Sequence, residues 1–440
     1  MQQIKIEQRN KNLFEKLFKL SENNTDIKTE ITAGTTTFMT MAYALIVHPL
    51  IMSASGMPIG AMTVVTALTA GIFSIFMGTY TNLPFALGPA MGSNAFFAYT
   101  LVASGLTTWQ EGLGLVFVSG VIFLIMSFFG FREIVVKLLP KNLKIGIGAV
   151  VGIFLIQLGF GSAKLMDLSK GKIAIGNLKS PETILAIIGL FIIAALIVRK
   201  VKGAILIGIL LVTILGIPLG ITKVPTSLMS LPPSIADVSF KLDFSKVLSI
   251  KFLPIMFVFF VGDFFSTLGT LLGVSEKAGL LDKDGNLPNI QKPFLVDAIA
   301  TIVGAVLGTT VVTTYVESAS GVAEGGRTGL TSVTTGLIFL TALFFTPIAL
   351  MIPAIATAPV LIIIGIMMLE SLKGIEYGDF SESFPVFFMI ATTAYTSSIS
   401  NGVGVGIIAY VFLRVLIGKA KEIHIGLYIL STIMIYYFIR

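Results

Sequence analysis

The chain has no cysteine, and its 440 residues include only two histidines, His48 and His424. Disulfides and thiolate metal sites are therefore excluded, and a histidine-based metal centre has too few ligands. No cofactor motif is present either: GVAEGGRTG (321–329) lacks the Gly-Lys-Ser/Thr ending of a phosphate loop, and the stretch from Asp282 to Asn286 lacks the closing glutamate of a calcium loop. Charge is scarce as well. Charged residues make up 12% of the chain and hydrophobic residues 55%. A soluble domain carries about twice that charged fraction. The composition is that of an integral membrane protein, with no segment suited to nucleic acid. The net charge of +7 fits Lys and Arg gathered in cytoplasmic loops.

The apolar runs are long and unbroken, which favours helices over the alternating segments of about ten residues that build a barrel. A crossing helix needs about 20 apolar residues. Spans are expected at 31–55, 62–80, 85–104, 110–130, 147–165, 181–199 and 203–220, and again at 252–275, 293–312, 315–327, 331–352, 354–370, 384–400 and 401–418. The fold class is thus an all-α polytopic membrane protein of about 14 transmembrane helices. The chain divides into a cytoplasmic N-terminal segment (1–30), which is no signal peptide, and a first seven-span repeat (31–220). A connecting loop (221–250), a second seven-span repeat (251–418) and a C-terminal hydrophobic segment (419–440) follow. Within the last, 424–439 reads either as a surface helix or as a fifteenth crossing. An amphipathic helix is expected around 12–20, with Leu13, Phe14, Leu17 and Phe18 on one face.

An odd number of spans per half makes the second half insert upside down, the logic of inverted-repeat transporters. GTYTNLPFALGPAM (78–91) and GTTVVTTYVESASG (308–321) fall at the third span of each half. Both are interrupted, and interrupted segments at matching positions point to a transport site. Loop charges place the N-terminus in the cytoplasm. Arg132, Lys137, Lys141 and Lys144 share a side with Arg199, Lys200 and Lys202, and with Arg414, Lys419 and Lys421. Lys164, Lys170, Lys172 and Lys179 fall on the opposite side, against that rule.

Three residues carry the chemistry. Asp263 stands in a long apolar run, and Glu317 in a glycine-broken one. A carboxylate near the bilayer centre costs about 2.5–3.5 kcal/mol on insertion scales, so it faces a protein interior and usually acts there. Each reads either as a structural carboxylate or as a binder of substrate or proton. An ionised carboxylate accepts in-plane hydrogen bonds from adjacent N–H groups, as on a purine, and out of water it can also take up or release a proton. Asn94 supplies donor and acceptor together, and reads either as interhelical glue or as a base-edge contact. Ser266, Phe96, Thr314 and Ser318 are candidate lining residues. His48 reads as a packed, hydrogen-bonded histidine or a proton relay.

TEITAGTTTFMTMAYALIVHP (29–49), FALGPAMGSNAFFAYT (85–100), DFFSTLGTLLGVSEKAGLLDKDGNLP (263–288) and GTTVVTTYVESASGVAEGGRTG (308–329) are similar to the AzgA-like purine permeases, a branch of the nucleobase–ascorbate transporter superfamily. The resemblance runs from about residue 14 to the C-terminus. It implies a proton-coupled importer of adenine, guanine or hypoxanthine in the cell membrane. It also implies two inverted seven-helix repeats, core and gate domains (spans 1–4 and 8–11 against 5–7 and 12–14), short strands in spans 3 and 10, and a fold compatible with a homodimer. The family's substrate-contacting residues fall on Asn94, Asp263 and Glu317, with Asp263 and Glu317 the proton-coupling candidates. Three positions depart from the family pattern: Ser266 replaces a second acid, GPAMGSNA replaces an APGMGLNA-like motif, and His48 replaces an Asn. The competing readings are a carrier of uracil, xanthine or a small anion on the same fold, a passive channel, and a membrane-embedded enzyme. For the last, no nucleophile–base pair is apparent.

Overall fold

A computed structural model describes residues 14–128, 139–167, 174–247, 249–283, 286–375 and 377–439. Asn12, Leu13, Arg132, Lys137, Lys170, Lys172 and Asp284 lie outside the described residues. In the first half, α1 (Ile27–Met41) and α2 (Ala44–Ser53) make the first crossing and α3 (Ile59–Thr81) the second. The third is a strand, β1 (Leu87–Pro89), then a half-helix, α4 (Met91–Ala95), prolonged by a π-helical turn (Phe96–Val102). Next come α5 (Trp109–Phe128), α6 (Lys141–Ser162), a small hairpin of β2 (Met166–Asp167) and β3 (Ala174–Ile175), α7 (Pro181–Val198) and α8 (Ala204–Gly216).

The second half repeats this order. It begins with α9 (Leu253–Ala278) and α10 (Gln291–Leu307), followed by β4 (Val312–Thr314) with its half-helix α11 (Ser318–Ala323). Then follow α12 (Gly329–Ala342) with α13 (Thr346–Met351), α14 (Ala354–Leu369), α15 (Phe380–Thr396) and α16 (Ile399–Leu416). A last helix, α17 (Ile425–Ile439), packs on α16 and α9. Its 15 residues rise about 22 Å, short of a hydrocarbon core about 30 Å thick. Among the described residues, nine helices are long and apolar enough to cross a membrane.

The expected breaks in spans 3 and 10 are present, and they are paired. β1 and β4 run antiparallel with Leu87 opposite Thr314 and Pro89 opposite Val312. Equivalent strands of the two halves thus meet head to tail, as inverted repeats do. Helix packing shows the same exchange. α3 packs on α12 and α10 on α5; α7 packs on α14 and α15 on α6; α6 packs on α14. Glycines permit two of these close crossings. A Cβ on Gly336 would stand 2.5 Å from Gly71 O, and one on Gly365 would stand 2.5 Å from Gly152 O. Small residues let backbones approach in a membrane, where apolar side chains gain nothing from leaving lipid.

Two packing groups result. One holds α1–α5 and α9–α12 with both strands, the other α6–α8 and α14–α16. Polar caps fix the first group. Asp26 caps α1 through the Thr29 amide at 2.9 Å, which holds its carboxyl below the usual range. Glu30, fully buried, accepts from the Arg327, Thr328 and Thr331 amides and from Thr331 Oγ1, covering the N-terminus of α12. A carboxylate there satisfies orphan amides and complements the helix dipole. The Arg327 guanidinium turns to the backbone, donating to Val322 O and Gly326 O.

The 221–250 connection carries no long helix. It works as a strap: Phe240 N donates to Val306 O, Ser239 Oγ to Leu307 O, and Asp243 N to Gln110 O. Two last-turn carbonyls of α10 gain partners that the helix cannot supply. Near the N-terminus, Phe18 and Leu20 are buried against Leu330, whereas Leu17 is exposed.

Candidate functional site

β1 and β4 cannot donate all their backbone groups to each other, because Pro89 has no N–H. The ladder is completed at its ends. Ala90 N donates to Val311 O and Tyr315 N to Ala86 O, both at 2.9 Å. Side chains then tie strands to helices. Tyr315 OH donates to Pro89 O at 2.6 Å, and Ala86 N donates to Ser318 Oγ at 3.0 Å. Irregular backbone at membrane depth is tolerable when protein supplies its partners in this way.

Glu317 stands where β4 passes into α11. Tyr43, at the break between α1 and α2, donates its hydroxyl to Glu317 Oε1 at 2.7 Å. Among the described residues no side chain donates to the other oxygen. Glu317 is half-buried, and the neighbouring Val316 is 58% exposed, so the junction opens to a space beside it. The adjacent face of α9 is open too. Ser266, Gly269 and Gly273 are exposed, and nothing lies within 4 Å of where a Cβ on Gly262, Gly269 or Gly273 would stand. From the second packing group, Lys144 of α6 reaches the ring of Phe265, 5.1 Å from its centroid. The opening therefore lies between the two groups.

Asn94 is fully buried on α4. Thr310 Oγ1 donates to its Oδ1, and among the described residues its amide nitrogen has no hydrogen-bond partner. Thr309, next in the chain, bonds His48 Nε2 at 2.9 Å, and His48 Nδ1 bonds Thr66 Oγ1 at 2.7 Å. Thr66 gives its proton to Met62 O at 2.6 Å. It must therefore accept from Nδ1–H, which leaves Nε2 to accept from Thr309. His48 is thus a hydrogen-bonded bracket between α2, α3 and the turn before β4.

Asp263 is buried on α9. Thr301 Oγ1 donates to its Oδ2 at 3.0 Å, while Oδ1 has no partner among the described residues. Of the candidate lining residues, Thr314 is buried and donates to Asp297 at 3.1 Å. Ser318 is buried beneath the strand pair, and Phe96 is buried edge-on against Phe259. Only Ser266 faces the open side. The structure thus brings Glu317 and Ser266 to the opening and sets Asn94 and Asp263 behind it.

Four residues with a part in this arrangement were missed in the sequence: Asp297, Tyr43, Glu30 and Lys144. Asp297 had a legible signal. It lies in the apolar run PFLVDAIATIVGAV and repeats the Asp-x-x-x-Thr spacing of Asp263 and Thr267. Tyr43 had none, since its role depends on a residue 274 positions away.

Two antiparallel strand–half-helix units, held in one helical group that faces a second in a membrane chain, define a transporter. The comparisons with known proteins say which kind. A family model described as "Permease family" (Xan_ur_permease) matches residues 28–405, and the chain belongs to that family. It is 42% identical to putative permease MJ0326 of Methanocaldococcus jannaschii, over 95% of this chain and 96% of that one. It is 38% identical to adenine permease AdeQ of Escherichia coli, over 95% and 94%. It is 37% identical to guanine/hypoxanthine permease PbuO of Bacillus subtilis, over 93% and 96%.

Among solved structures, the transmembrane domain of a cyanobacterium bicarbonate transporter, BicA, superposes with a TM-score of 0.62 at 17% identity, covering 85% of this chain and 97% of that one. The murine Slc26a9 anion transporter in the inward-facing state gives 0.64 at 14% identity, covering 89% and 68%. At such identities the likeness is one of fold alone.

Proposed function

We propose that this protein imports purine nucleobases together with protons. The observation that carries the reading is the set of Glu317 at the opening: one oxygen is anchored by Tyr43 and the other has no side-chain donor. A carboxylate so held accepts from the N–H groups of a purine ring. Asn94, buried behind the opening with Thr310 on its oxygen, holds N–H donors that a ring acceptor would meet once the site opens toward α4. The relatives named as adenine and guanine/hypoxanthine permeases support the same substrate class.

In this reading α1–α5 and α9–α12 form a core that moves against a gate of α6–α8 and α14–α16, so that the opening faces each side in turn. The repeats correspond to 31–220 and 251–418, joined by the 221–250 strap. The protein resides in the cell membrane with its N-terminus in the cytoplasm. Glu30, Asn82, Lys202, Glu324 and Arg327 meet at one end, through the Glu30–Arg327, Asn82–Gly329 and Lys202–Glu324 contacts. The basic α7–α8 loop supports assigning that end to the cytoplasm.

Anion transport on the same fold has one supporting feature, Lys144 beside α9. Buried carboxylates at the site oppose it. Uptake of radiolabelled hypoxanthine into proteoliposomes, with and without an inward proton gradient, tests the proposal. Gradient-driven uptake blocked by adenine and guanine is the expected result. Uptake of bicarbonate or uracil with no purine competition would replace it.

A further inference from the structure

Asp263 on α9 and Asp297 on α10 are each followed four residues later by a threonine, Thr267 and Thr301. Residues four apart share a helix face. The hydrogen bonds cross between the helices. Thr301 donates to Asp263 Oδ2 at 3.0 Å, and Thr267 donates to Asp297 Oδ2 at 2.7 Å. Asp297 Oδ1 takes a second donor, Thr314 of β4, at 3.1 Å. Thr313 of β4 donates in turn to Thr267 at 2.8 Å. Both aspartates are buried, and each carboxyl group is bonded by the threonine of the other helix.

A count of donors separates the two acids. Asp297 has a hydroxyl on each oxygen, which suits an ionised carboxylate. Among the described residues Asp263 Oδ1 has no partner, and the single proton of Thr301 is divided between Asp263 Oδ2 at 3.0 Å and Val312 O at 3.2 Å. Two adjacent anions out of water repel each other and are poorly solvated. A protonated Asp263 has an O–H to donate, and Asp297 beside it is an acceptor, so one proton between them meets both deficits.

We propose that Asp263 and Asp297 form a single-proton site, distinct from the substrate-facing Glu317, and that this site carries the proton that travels with the substrate. The proposal rests on the reading of this protein as a proton-coupled carrier. On loading, a proton from water bonds to an Asp263 oxygen and the pair goes from two negative charges to one. On release the O–H bond breaks, the electron pair stays on the carboxylate, and the proton passes to water on the other side. β4 links the two events, because Thr314, which holds Asp297, is three residues from Glu317.

The other ionisable groups on the surrounding elements have partners elsewhere or, like Glu276 and Lys277 at the end of α9, are exposed. Glu317 is bonded to Tyr43, Tyr315 to Pro89 and His48 to its threonines. Lys144 of α6 lies over Phe265, Lys292 of α10 over Tyr80, and Glu111 of α5 pairs with Lys246. Arg414 of α16 pairs with Glu382 and Glu422, and Tyr428 of α17 donates to Ala420 O. Tyr99 stacks edge-on with Phe154.

The test uses the full-length chain in proteoliposomes, as wild type, Asp297→Asn, Asp263→Asn and Thr267→Val. Infrared difference spectra across a pH change read the C=O stretch of a protonated carboxylic acid. Parallel assays read proton-driven accumulation and equilibrium exchange of hypoxanthine. The expected result is an acid band in wild type that is lost in Asp263→Asn and displaced in Thr267→Val. Accumulation in Asp297→Asn should fall by about tenfold or more while exchange persists, because coupling and binding are separate terms. Wild-type accumulation in Asp297→Asn would overturn the proposal. So would an acid band unchanged by all three substitutions, or uptake driven by a sodium gradient with no acid band. Thr267→Val keeps side-chain volume and tests the site even if Asp297→Asn does not fold. If wild type carries no purine, the substrate reading fails, and the acid band still decides the proton site.

Discussion

The two strand–half-helix units occupy equivalent places and differ in what they contribute. β1 and α4 read Leu-Gly-Pro, then Met-Gly-Ser-Asn-Ala, and continue through a π-helical turn into buried Phe96 and Phe97. The buried polar side chain of the strand and half-helix is Asn94, and the π-helical turn adds Thr100. β4 and α11, with the turn before them, carry Thr309, Thr310, Thr313, Thr314, Tyr315, Glu317, Ser318 and Ser320, and α11 stops after six residues. The first unit supplies shape and one amide. The second supplies nearly all the hydrogen bonds and the carboxylate. A repeat can thus keep backbone symmetry, which the strand pairing needs, while chemistry collects on one copy.

Substitutions can break that asymmetry or sharpen it. The largest effect is expected in the second unit. Glu317→Gln should lower purine uptake by about 100-fold at normal expression, since a charged hydrogen-bond acceptor is lost; uptake near wild type would remove Glu317 from the site. In the first unit, Asn94→Ala should raise the apparent KM by about tenfold with a smaller change in maximal rate, as for one neutral contact. An equal collapse of both variants would mean that the units share the chemistry.

Tyr43→Phe tests whether the carboxylate needs its anchor. The phenol proton supports Glu317 in its ionised form, so KM should rise about threefold to tenfold while maximal rate holds. A loss of maximal rate instead would assign Tyr43 to the moving step. The smallest effect is expected at the edge of α11. Lys202 on the α7–α8 loop pairs with Glu324 at 2.5 Å, joining the two packing groups. Lys202 is exposed, and exposed pairs contribute about 0–1 kcal/mol, so Lys202→Ala should change initial rates by about twofold at most. A larger change would make this contact part of the gate.

Much of this could be read along the chain. Pro84, Gly88 and Pro89 in the first half, and Gly308 with the threonine run in the second, mark where helices cannot run through. Asp263 and Glu317 stood out because carboxylates in apolar runs are costly wherever they are placed. Asn94 stood out as an amide beside such a break. The positions of Thr314 and Ser318 were legible, but their roles were not. Both are turned to structural partners, Asp297 and the Ala86 amide. Ser266 was noted as a replacement for an acid, and only the packing shows that it faces open space.

Sequence by itself determined a polytopic membrane chain, its two matching halves, the two interrupted segments, Asn94 and Glu317 beside those breaks, and Asp263 in an apolar run. These follow from hydropathy and backbone rules that act over a helical turn or one span. Tertiary structure alone decided the pairings: Tyr43 with Glu317, Glu30 over the N-terminus of α12, Thr310 with Asn94, and the crossed Thr301–Asp263 and Thr267–Asp297 bonds. A buried polar atom has no water to bond, so its partner is whichever group the packed helices bring within reach. Here those partners come from other spans, and often from the other repeat.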